Sequence, residues 1–359
     1  MFARADLMPA NDPQRILIVR LSALGDVVMS SGLIPALRQR YPHAEISWLT
    51  EAPAAPLLRH NPRLKEVLIW PRAEWRALWQ ARNWTALWQA IRGFRTSLRS
   101  RQFDLVLDAQ GLLKSGLCAW MTAAPRRISI MAREGSHLLM HERLVPPALT
   151  DRRISSEYRY LAAYLGAHDT AFELDLAVGA APAHTAERQW REWGSPTRLA
   201  LLCPFTTRAQ KHWFEDRWVD LARELQAQGW FPVILGGPSD REAAERICAQ
   251  LPHLVSVAGH LKLDESVALV ARSQLLIGVD TGLTHMGTAL HIPTVALFGS
   301  TCPYADATTP RTHILYDQLP CSPCRRHPTC AGRFDCMRQL TVARVLEAAQ
   351  GVTSDRLPQ

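Results

Sequence analysis

Short apolar runs recur along the chain, and each run ends at glycine, acidic or hydroxyl residues. In the first half the pattern predicts a helix from about Val27 to Arg40 and strands over 15–20, 46–50, 66–70 and 103–108. In the second half it predicts strands over 199–203, 231–235, 275–279 and 294–298, and helices over 215–228, over 240–250 and after 281. Strands that alternate with helices indicate an α/β protein with mostly parallel sheets.

A Pro- and Ala-rich stretch at about 177–196 interrupts this alternation and is predicted to be a linker. The length of 359 residues favours two domains, each with its own core. We therefore expect an N-terminal domain over 1–180 and a C-terminal domain over 181–359, two doubly wound units with a cleft between them. Ligands in such sheets bind beyond the carboxyl ends of the strands.

The turn after Leu275–Val279 is the most informative segment of the chain. Asp280, Thr281 and Gly282 follow a buried strand and precede a second apolar stretch, as at the start of a helix. Backbone N–H groups at a helix start lack intrahelical partners and hold anions. Asp280 cannot bind phosphate itself, so it would meet sugar hydroxyls or amine groups. The turn predicts a phosphorylated ligand with a polar part that is not phosphate.

Composition places the chain among soluble globular proteins, with 47% hydrophobic and 21% charged residues. The segment Met1–Gln14 mixes charged residues and prolines and has no apolar core of a signal peptide, so we expect a cytoplasmic protein. The formal charge of +8 predicts an acidic partner, which could be nucleic acid, an anionic membrane or a phosphorylated substrate.

Arginine and tryptophan are concentrated in one region of the chain. Between Pro71 and Gln102 there are seven arginines against the single acid Glu74. Five of the twelve tryptophans fall in the same neighbourhood, at spacings that favour one side of a helix: Trp70, Trp75, Trp79, Trp84 and Trp88. One interpretation is a helix that packs its tryptophans inward and leaves its arginines in solvent. The other is a surface for an anionic amphiphile, with arginine for phosphates and tryptophan for the membrane interface.

Four motifs in this order resemble glycosyltransferase family 9, the ADP-heptose:lipopolysaccharide heptosyltransferases. They are Arg20-Leu21-Ser22-Ala23-Leu24-Gly25-Asp26, Asp108-Ala109-Gln110-Gly111-Leu112-Leu113-Lys114-Ser115, Thr206-Thr207 with Lys211-His212-Trp213, and Asp280-Thr281-Gly282-Leu283-Thr284-His285. The resemblance covers nearly the whole chain. It implies the GT-B fold, in which two Rossmann-like domains face a central cleft and bind the acceptor and the nucleotide sugar respectively. The second and third motifs most resemble the heptosyltransferase I branch, which adds the first heptose to the inner core.

The resemblance implies inverting, metal-independent transfer of heptose from ADP-L-glycero-D-manno-heptose to Kdo-lipid A, in lipopolysaccharide biosynthesis at the cytoplasmic face of the inner membrane. The chain has no Asp-x-Asp, so a Mg²⁺ or Mn²⁺ clamp on the diphosphate lacks its usual ligands, and no catalytic cofactor is expected. An alternative is a family relative that adds a later heptose or uses another nucleotide-linked sugar. An alternative of a different class is a basic nucleic-acid-binding protein with a cysteine metal knuckle, but no nucleic-acid partner is expected from the resemblance.

The resemblance also implies roles for individual residues. Asp26 would be the general base, although an Asp after Gly also suits the N-terminal cap of a helix. The residues implied at the donor are Thr206, Thr207, Lys211, Asp240, Leu261, Asp280, Thr281, Gly282 and His285. Among them Lys211 would meet the phosphates, Asp240 the ribose and Leu261 the adenine, while His285 could instead be a structural histidine. The residues implied at the acceptor are Arg76, Gln110, Lys114 and Arg133, where Arg76 and Arg133 could instead be ordinary surface charges.

Four of the eight cysteines lie together in the segment 321–336: Cys321, Cys324, Cys330 and Cys336. In a cytosolic protein, four clustered thiolates favour a structural zinc or iron ion, against reduced thiols or a disulfide pair. Cys118, Cys203 and Cys248 lie in apolar surroundings and are predicted to be core residues.

Overall fold

The structure is a computed structural model that describes residues 12–146, 155–167, 172–301 and 309–354. Contacts divide the chain into two units near residue 172. Glu157–Phe172 belongs to the first unit, and the chain from Glu173 onwards belongs to the second. Among the described residues, no helix is long and apolar enough to cross a membrane.

The first unit is a six-stranded parallel sheet with helices. Its strands are β1 (Arg15–Val19), β2 (Glu45–Glu51), β3 (Glu66–Trp70), β4 (Leu105–Asp108), β5 (Arg126–Ile130) and β6 (Glu142–Leu144). Its helices are α1 (Leu24–Ser30), α2 (Leu33–Arg40), α3 (Arg72–Gln80), α4 (Trp84–Ser100), α5 (Leu113–Met121) and α6 (Ser156–Tyr164). The strand order is β3-β2-β1-β4-β5-β6, so the winding direction changes between β1 and β4. Side chains or loops that follow these two strands meet at this change, where doubly wound sheets bind ligands.

The second unit repeats this topology. Its strands are β7 (Leu199–Cys203), β8 (Phe231–Ile234), β9 (Val255–Ser256), β10 (Leu275–Val279), β11 (Thr294–Phe298) and β12 (Thr312–Tyr316). Its helices are α7 (Ala180–Glu192), α8 (Glu215–Ala227), α9 (Arg241–Cys248), α10 (Leu263–Arg272), α11 (Gly282–Ala289), α12 (Asp335–Arg338) and α13 (Val342–Thr353). The order β12-β11-β10-β7-β8-β9 puts the change of direction between β7 and β10. Every residue of β7 and β10 is buried, which explains their continuous apolar sequences.

Two expectations about helices and the linker were wrong. The helix expected from Val27 to Arg40 is two helices that break at Ser31 and Gly32, where a Cβ on Gly32 would lie 2.6 Å from the ring of Phe172. The expected linker at 177–196 contains α7, which packs on α10. Alanine favours helix, and Pro182 lies in the first turn of α7, where proline is tolerated.

The tryptophan-rich region is also not one helix. Trp70 ends β3, while the other four tryptophans are divided between α3 and α4. Trp75 packs edge to face against Trp70 and against Phe94, so the prediction of inward packing holds for this pair. It is wrong for the tryptophans at 79, 84 and 88, which are more than half exposed.

Candidate functional site

The loops after β1 and β4 are joined by hydrogen bonds at the change of winding direction in the first unit. The Leu21 N–H donates to Oε1 of Gln110 at 2.9 Å, and Nη1 of Arg20 donates to the Ala109 carbonyl at 2.7 Å. The loop after β4 is itself held by the buried Asp108 carboxylate, which accepts from the N–H groups of Gln110 and Gly111. Gln110 therefore shapes the loop that leads to Asp26.

Asp26 lies in the first turn of α1, and its side chain is 37% exposed. Its Oδ2 atom is 2.5 Å from Nη2 of Arg20 and accepts from the Ala23 N–H at 3.2 Å. The N-terminal cap residue of α1 is Ala23, so the interpretation of Asp26 as the cap residue is wrong. Asp26 is the third helical residue, and its carboxylate reaches back to the N–H of Ala23. Both contacts use Oδ2, and among the described residues Oδ1 has no hydrogen-bond partner. One carboxylate oxygen is held while the other is left open.

Arg20 holds Asp26 and was not assigned a role from the sequence. It is buried, and its guanidinium lies 5.7 Å from the centroid of the Tyr158 ring. Burial lowers the pKa of Arg20, but the Tyr158 phenol and the Asp26 carboxylate outweigh burial and raise the pKa above its ordinary value. Arg20 is therefore a permanent cation. The sequence signal for a role of Arg20 was its position directly after a buried strand and inside the first motif.

Lys114, in the first turn of α5, also contacts the loop that carries Asp26. Its Nζ lies 3.1 Å from Oγ of Ser22 and 3.1 Å from Oε1 of Glu51. Glu51 also pairs with Arg72 in α3 at 3.2 Å. The structure therefore brings Lys114 and Gln110 to the loop of Asp26, and it adds Glu51, which the sequence did not indicate.

Arg76 and Arg133 are exposed near this region. Arg76 lies one helical turn after Arg72, on the same side of α3. The Arg133 N–H donates to the Gly111 carbonyl at 2.7 Å, which places its backbone beside the loop after β4. Among the described residues neither side chain has a hydrogen-bond or ion-pair partner, so the structure leaves both interpretations of these arginines open.

An ion pair and a hydroxyl group join the loops after β7 and β10 in the second unit. Nζ of Lys211 lies 2.6 Å from Oδ2 of Asp280, and both side chains are largely buried, with 16% and 14% exposed. Oγ1 of Thr206 donates to the Asp280 carbonyl at 3.3 Å, and a ring nitrogen of His212 contacts the Thr206 carbonyl at 2.8 Å. These contacts span the change of winding direction, as those of Gln110 and Arg20 do in the first unit.

Asp280 is the centre of this group. Nε2 of the buried His285 lies 3.6 Å from its Oδ1, and the Thr301 hydroxyl donates to its Oδ2 at 2.5 Å. Burial alone raises the pKa of the Asp280 carboxyl, but His285 and Lys211 outweigh burial and hold the pKa below its ordinary value. Asp280 is therefore a carboxylate at neutral pH. Thr301, which follows β11, is a site residue that the sequence did not indicate.

Among the described residues, the backbone N–H groups of Gly282 and Leu283 at the start of α11 have no hydrogen-bond partner. Thr281 is its N-terminal cap residue and makes no side-chain cap hydrogen bond, and Gly282 is the first helical residue. A Cβ on Gly278 would lie 2.2 Å from Oγ1 of Thr284, so glycine allows this helix to pack closely on β10. Thr207 is exposed near the same edge of the sheet. The predicted helix start is present at this turn, and anion binding by it stays a prediction.

Asp240 and Leu261 lie in the loops after the neighbouring strands β8 and β9. Oδ2 of Asp240 accepts from the Gly237 N–H at 2.8 Å, so this carboxylate stabilises its own turn. The Gly259 N–H donates to the Gly236 carbonyl at 3.1 Å, which joins the loop of Leu261 to that turn. Parallel strands end at one edge of the sheet, so all nine predicted donor residues lie along that edge.

The four clustered cysteines do not form a recognisable metal centre. Among the described residues, which include all four, no group of three or more His, Cys, Asp or Glu side chains is arranged to hold a metal ion. The four thiols are free. Burial raises the pKa of Cys336 to about 11. The zinc or iron ion stays a prediction. Of the predicted core cysteines, Cys118 and Cys203 are buried, whereas Cys248 is only half-buried.

The cysteine segment instead makes hydrogen bonds to the loops that carry the predicted donor residues. Nε2 of Gln210 donates to the Arg325 carbonyl at 3.0 Å, and the Arg325 N–H donates to the Ser300 carbonyl at 2.6 Å. The Ser322 hydroxyl donates to the Gly299 carbonyl. Gln210 precedes Lys211 and Ser300 precedes Thr301, so this segment contacts the chain beside two of the residues that contact Asp280.

Comparisons with known proteins place the chain in a family. The family model described as glycosyltransferase family 9 (heptosyltransferase) matches residues 91–334. Lipopolysaccharide heptosyltransferase 1 of Pseudomonas aeruginosa is 30% identical over 318 residues, which cover 86% of each chain. Lipopolysaccharide heptosyltransferase 2 of Escherichia coli K12 is 28% identical over 316 residues, which cover 83% of this chain and 86% of that one.

Solved structures share the fold over nearly the whole chain. The glycosyltransferase family 9 structure from Veillonella parvula has a TM-score of 0.77 at 20% identity and covers 95% of this chain and 97% of that one. Escherichia coli heptosyltransferase WaaC with ADP has a TM-score of 0.73 at 23% identity and covers 94% of this chain and 99% of that one. The predicted α/β, GT-B fold class is confirmed. The chain belongs to glycosyltransferase family 9, the heptosyltransferase family.

Proposed function

We propose that this enzyme transfers heptose from ADP-heptose to the Kdo-lipid A inner core of lipopolysaccharide, with inversion and without a metal ion. The observation that carries the proposal is the pair of Arg20 and Asp26. Arg20 holds Oδ2 of Asp26, while Oδ1 has no hydrogen-bond partner among the described residues and can accept a proton. Such a carboxylate suits a general base in a sugar transfer.

In the proposed reaction, Oδ1 of Asp26 takes the proton of the acceptor hydroxyl as its oxygen attacks the anomeric carbon of the heptose. The bond to the ADP oxygen breaks on the opposite face, so one displacement inverts the configuration. Lys114, Gln110, Arg76 and Arg133 would face the acceptor. Its Kdo carboxylates and phosphates carry the negative charge that suits this basic set.

The leaving ADP needs charge stabilisation. An ammonium has three N–H donors, and the contact with Asp280 uses only one donor of Lys211, which leaves others for phosphate. Thr206, Thr207 and the free N–H groups at the start of α11 add hydrogen bonds. Asp240 and Leu261 would contact the ribose and the adenine. Enzymes of this family generally need no catalytic cofactor.

Addition of a later heptose is the second candidate, because the identity to heptosyltransferase 2 is almost as high as that to heptosyltransferase 1. The acceptor decides between them. We expect transfer from ADP-heptose to Kdo-lipid A in the presence of EDTA, detected as a mass increase of one heptosyl residue. Transfer only to an acceptor that already carries heptose would favour the later step. Loss of transfer in EDTA would contradict the metal-independent mechanism.

The acceptor is a lipid, so we also propose that the enzyme works as a peripheral protein on the cytoplasmic face of the inner membrane.

Asp26→Asn tests the base, with Asp216→Asn as its control, because Asp216 is another exposed acid in the first turn of a helix. We expect only the first variant to lose transfer, while its affinity for ADP stays unchanged.

A further inference from the structure

Three tryptophan side chains of the first unit face solvent and form what we term the tryptophan ridge: Trp79 in α3, and Trp84 and Trp88 in α4. Their exposed fractions are 62%, 52% and 59%. The rings of Trp79 and Trp84 pack edge to face with centroids 4.8 Å apart, and Trp88 lies one turn after Trp84 on the same side of α4. Clustered exposed indoles indicate a surface that another molecule covers.

The exposed apolar surface continues onto α5. Leu113, Leu117 and Trp120 follow one another at helical spacing and are 41%, 38% and 42% exposed. The guanidinium of Arg95 in α4 lies 5.2 Å from the centroid of the Trp120 ring, which joins the two helices into one face. The turn at Ser136–Leu139 packs on α5 and adds Leu138, which is 80% exposed.

This face also carries an excess of positive charge. Among the described residues, five arginines of α3, α4 and the turn between them have no carboxylate within 4 Å: Arg76, Arg82, Arg92, Arg95 and Arg99. The other two arginines of the region pair with acids, Arg72 with Glu51 and Arg101 with Glu66. Arg92 lies over the ring of Trp88, with its guanidinium 5.2 Å from the ring centroid. Cations therefore alternate with indoles on one face.

We propose that the tryptophan ridge, the exposed side of α5 and these arginines form a docking surface for an anionic lipid bilayer. Indole enters the boundary between headgroups and acyl chains, and arginine binds lipid phosphates while its stem covers apolar surface. Charge complementarity selects an anionic membrane over a neutral one. The arginines alone would also attract a nucleic acid. The exposed leucines, however, have no complementary group on a nucleic acid, so they favour a membrane.

The position of α5 links this surface to the acceptor site, and this step rests on the proposed function. Lys114 contacts Ser22 in the loop of Asp26, whereas Trp120 lies six residues further along the same helix, about 9 Å. An acceptor whose lipid anchor stays in the bilayer could therefore present its sugar to Asp26 while the enzyme rests on that bilayer.

Flotation of the full-length protein with lipid vesicles tests the surface. We expect binding to vesicles that contain phosphatidylglycerol, and no binding to vesicles of phosphatidylcholine alone. Binding should fall when NaCl rises from about 0.1 M to about 1 M, because the Debye length shortens from about 10 Å to about 3 Å. Brominated acyl chains should quench tryptophan fluorescence in the bound state.

Variants assign the effect to this face. Trp79→Ala/Trp84→Ala/Trp88→Ala should lower the partition coefficient by about tenfold or more. Arg82→Ser/Arg92→Ser/Arg99→Ser should also lower the partition coefficient by about tenfold, and this variant keeps every indole. It replaces the tryptophan variant if circular dichroism shows that the tryptophan variant has lost its fold. The matched control Arg188→Ser/Arg191→Ser/Arg223→Ser removes three exposed arginines of the second unit and should bind like the wild type.

Three results would overturn the proposal: equal binding to neutral vesicles, unchanged binding of a folded variant of this face, or tighter binding of single-stranded RNA than of anionic vesicles. Vesicle binding needs no sugar transfer, so it is tested independently of the proposed reaction. Failure of heptose transfer with intact vesicle binding would contradict only the proposed function. Intact transfer without vesicle binding would contradict only the docking surface.

Discussion

The ion pair of Lys211 and Asp280 determines how the donor loops are held, and Lys211→Met tests it. Removing one partner of a fully buried ion pair costs about 3–5 kcal/mol, because the other charge is left unpaired. Both side chains keep some solvent exposure, and His285 and Thr301 would still contact Asp280. We therefore expect the variant to lower the free energy of unfolding by about 2 kcal/mol. For a unit of this size, that corresponds to a fall in Tm of about 4–8 °C.

Urea unfolding, thermal melting and calorimetric titration with ADP measure the effect. Lys65→Met is the matched control, because Lys65 pairs with Glu45 at 3.0 Å with side chains 60% and 52% exposed. An exposed pair contributes about 0–1 kcal/mol, so this control should change little. Lys211→Met should also weaken ADP binding by about tenfold or more, the loss expected for one hydrogen bond to a charged group.

Two results would refute this reasoning. One is an equal loss of stability in the Lys211 and Lys65 variants, which would mean that burial gives the Asp280 pair no added strength. The other is unchanged ADP affinity in Lys211→Met, which would remove Lys211 from the donor site.

Three further predictions concern the surroundings of the two loops. Arg20→Gln should lower kcat by about tenfold or more with little change in the KM for ADP-heptose, because Arg20 positions the base and lies in the other unit from the donor residues; an effect on KM alone would contradict this role. The pKa of Asp280 is lowered in the folded state, so its stabilisation is present above the ordinary value of about 3.9 and is lost as pH falls below it. The free energy of unfolding should therefore fall less between pH 6 and pH 3 in Asp280→Asn than in the wild type, and equal slopes would contradict the assignment. Gln210→Ala removes the hydrogen bond to the Arg325 carbonyl and should raise the KM for ADP-heptose in steady-state kinetics. An unchanged KM would show that the cysteine segment does not support the donor loops.

Strand positions could be predicted where burial alone determines the pattern. The strands at Glu66–Trp70, Leu199–Cys203, Leu275–Val279 and Thr294–Phe298 have the predicted bounds. Most of them are buried on both faces, so their apolar runs are continuous and end where the chain leaves the core.

Features that depend on distant residues could not be predicted in this way. The close approach at the helix break joins Gly32 to Phe172, which lies 140 residues further along the chain. The packing of Arg20 against the ring of Tyr158 and the hydrogen bond of Thr301 to Asp280 both join residues that are distant in sequence. The division of the tryptophans into packed and exposed sets likewise depends on which sides of α3 and α4 meet the sheet.

The site motifs could be located because each follows a buried strand, and the topology then brings them together. The four-residue group of Thr206, Lys211, Asp280 and His285 is connected by described contacts, and Asp26, Gln110 and Lys114 share neighbouring loops. Arg76 and Arg133 stay predictions, because exposed side chains without partners carry no positional information. The cysteine metal site also stays a prediction.

The role of Asp26 as the base in heptose transfer is tested by the rate of transfer from ADP-heptose to Kdo-lipid A by the wild type and by Asp26→Asn, followed by mass analysis of the product. We expect one added heptosyl residue with the wild type, and a rate lower by about 10²–10⁴ in the variant at unchanged ADP affinity. Transfer by Asp26→Asn at the wild-type rate would contradict the assignment of the base. The absence of any heptosyl product with the wild type would contradict the proposed reaction.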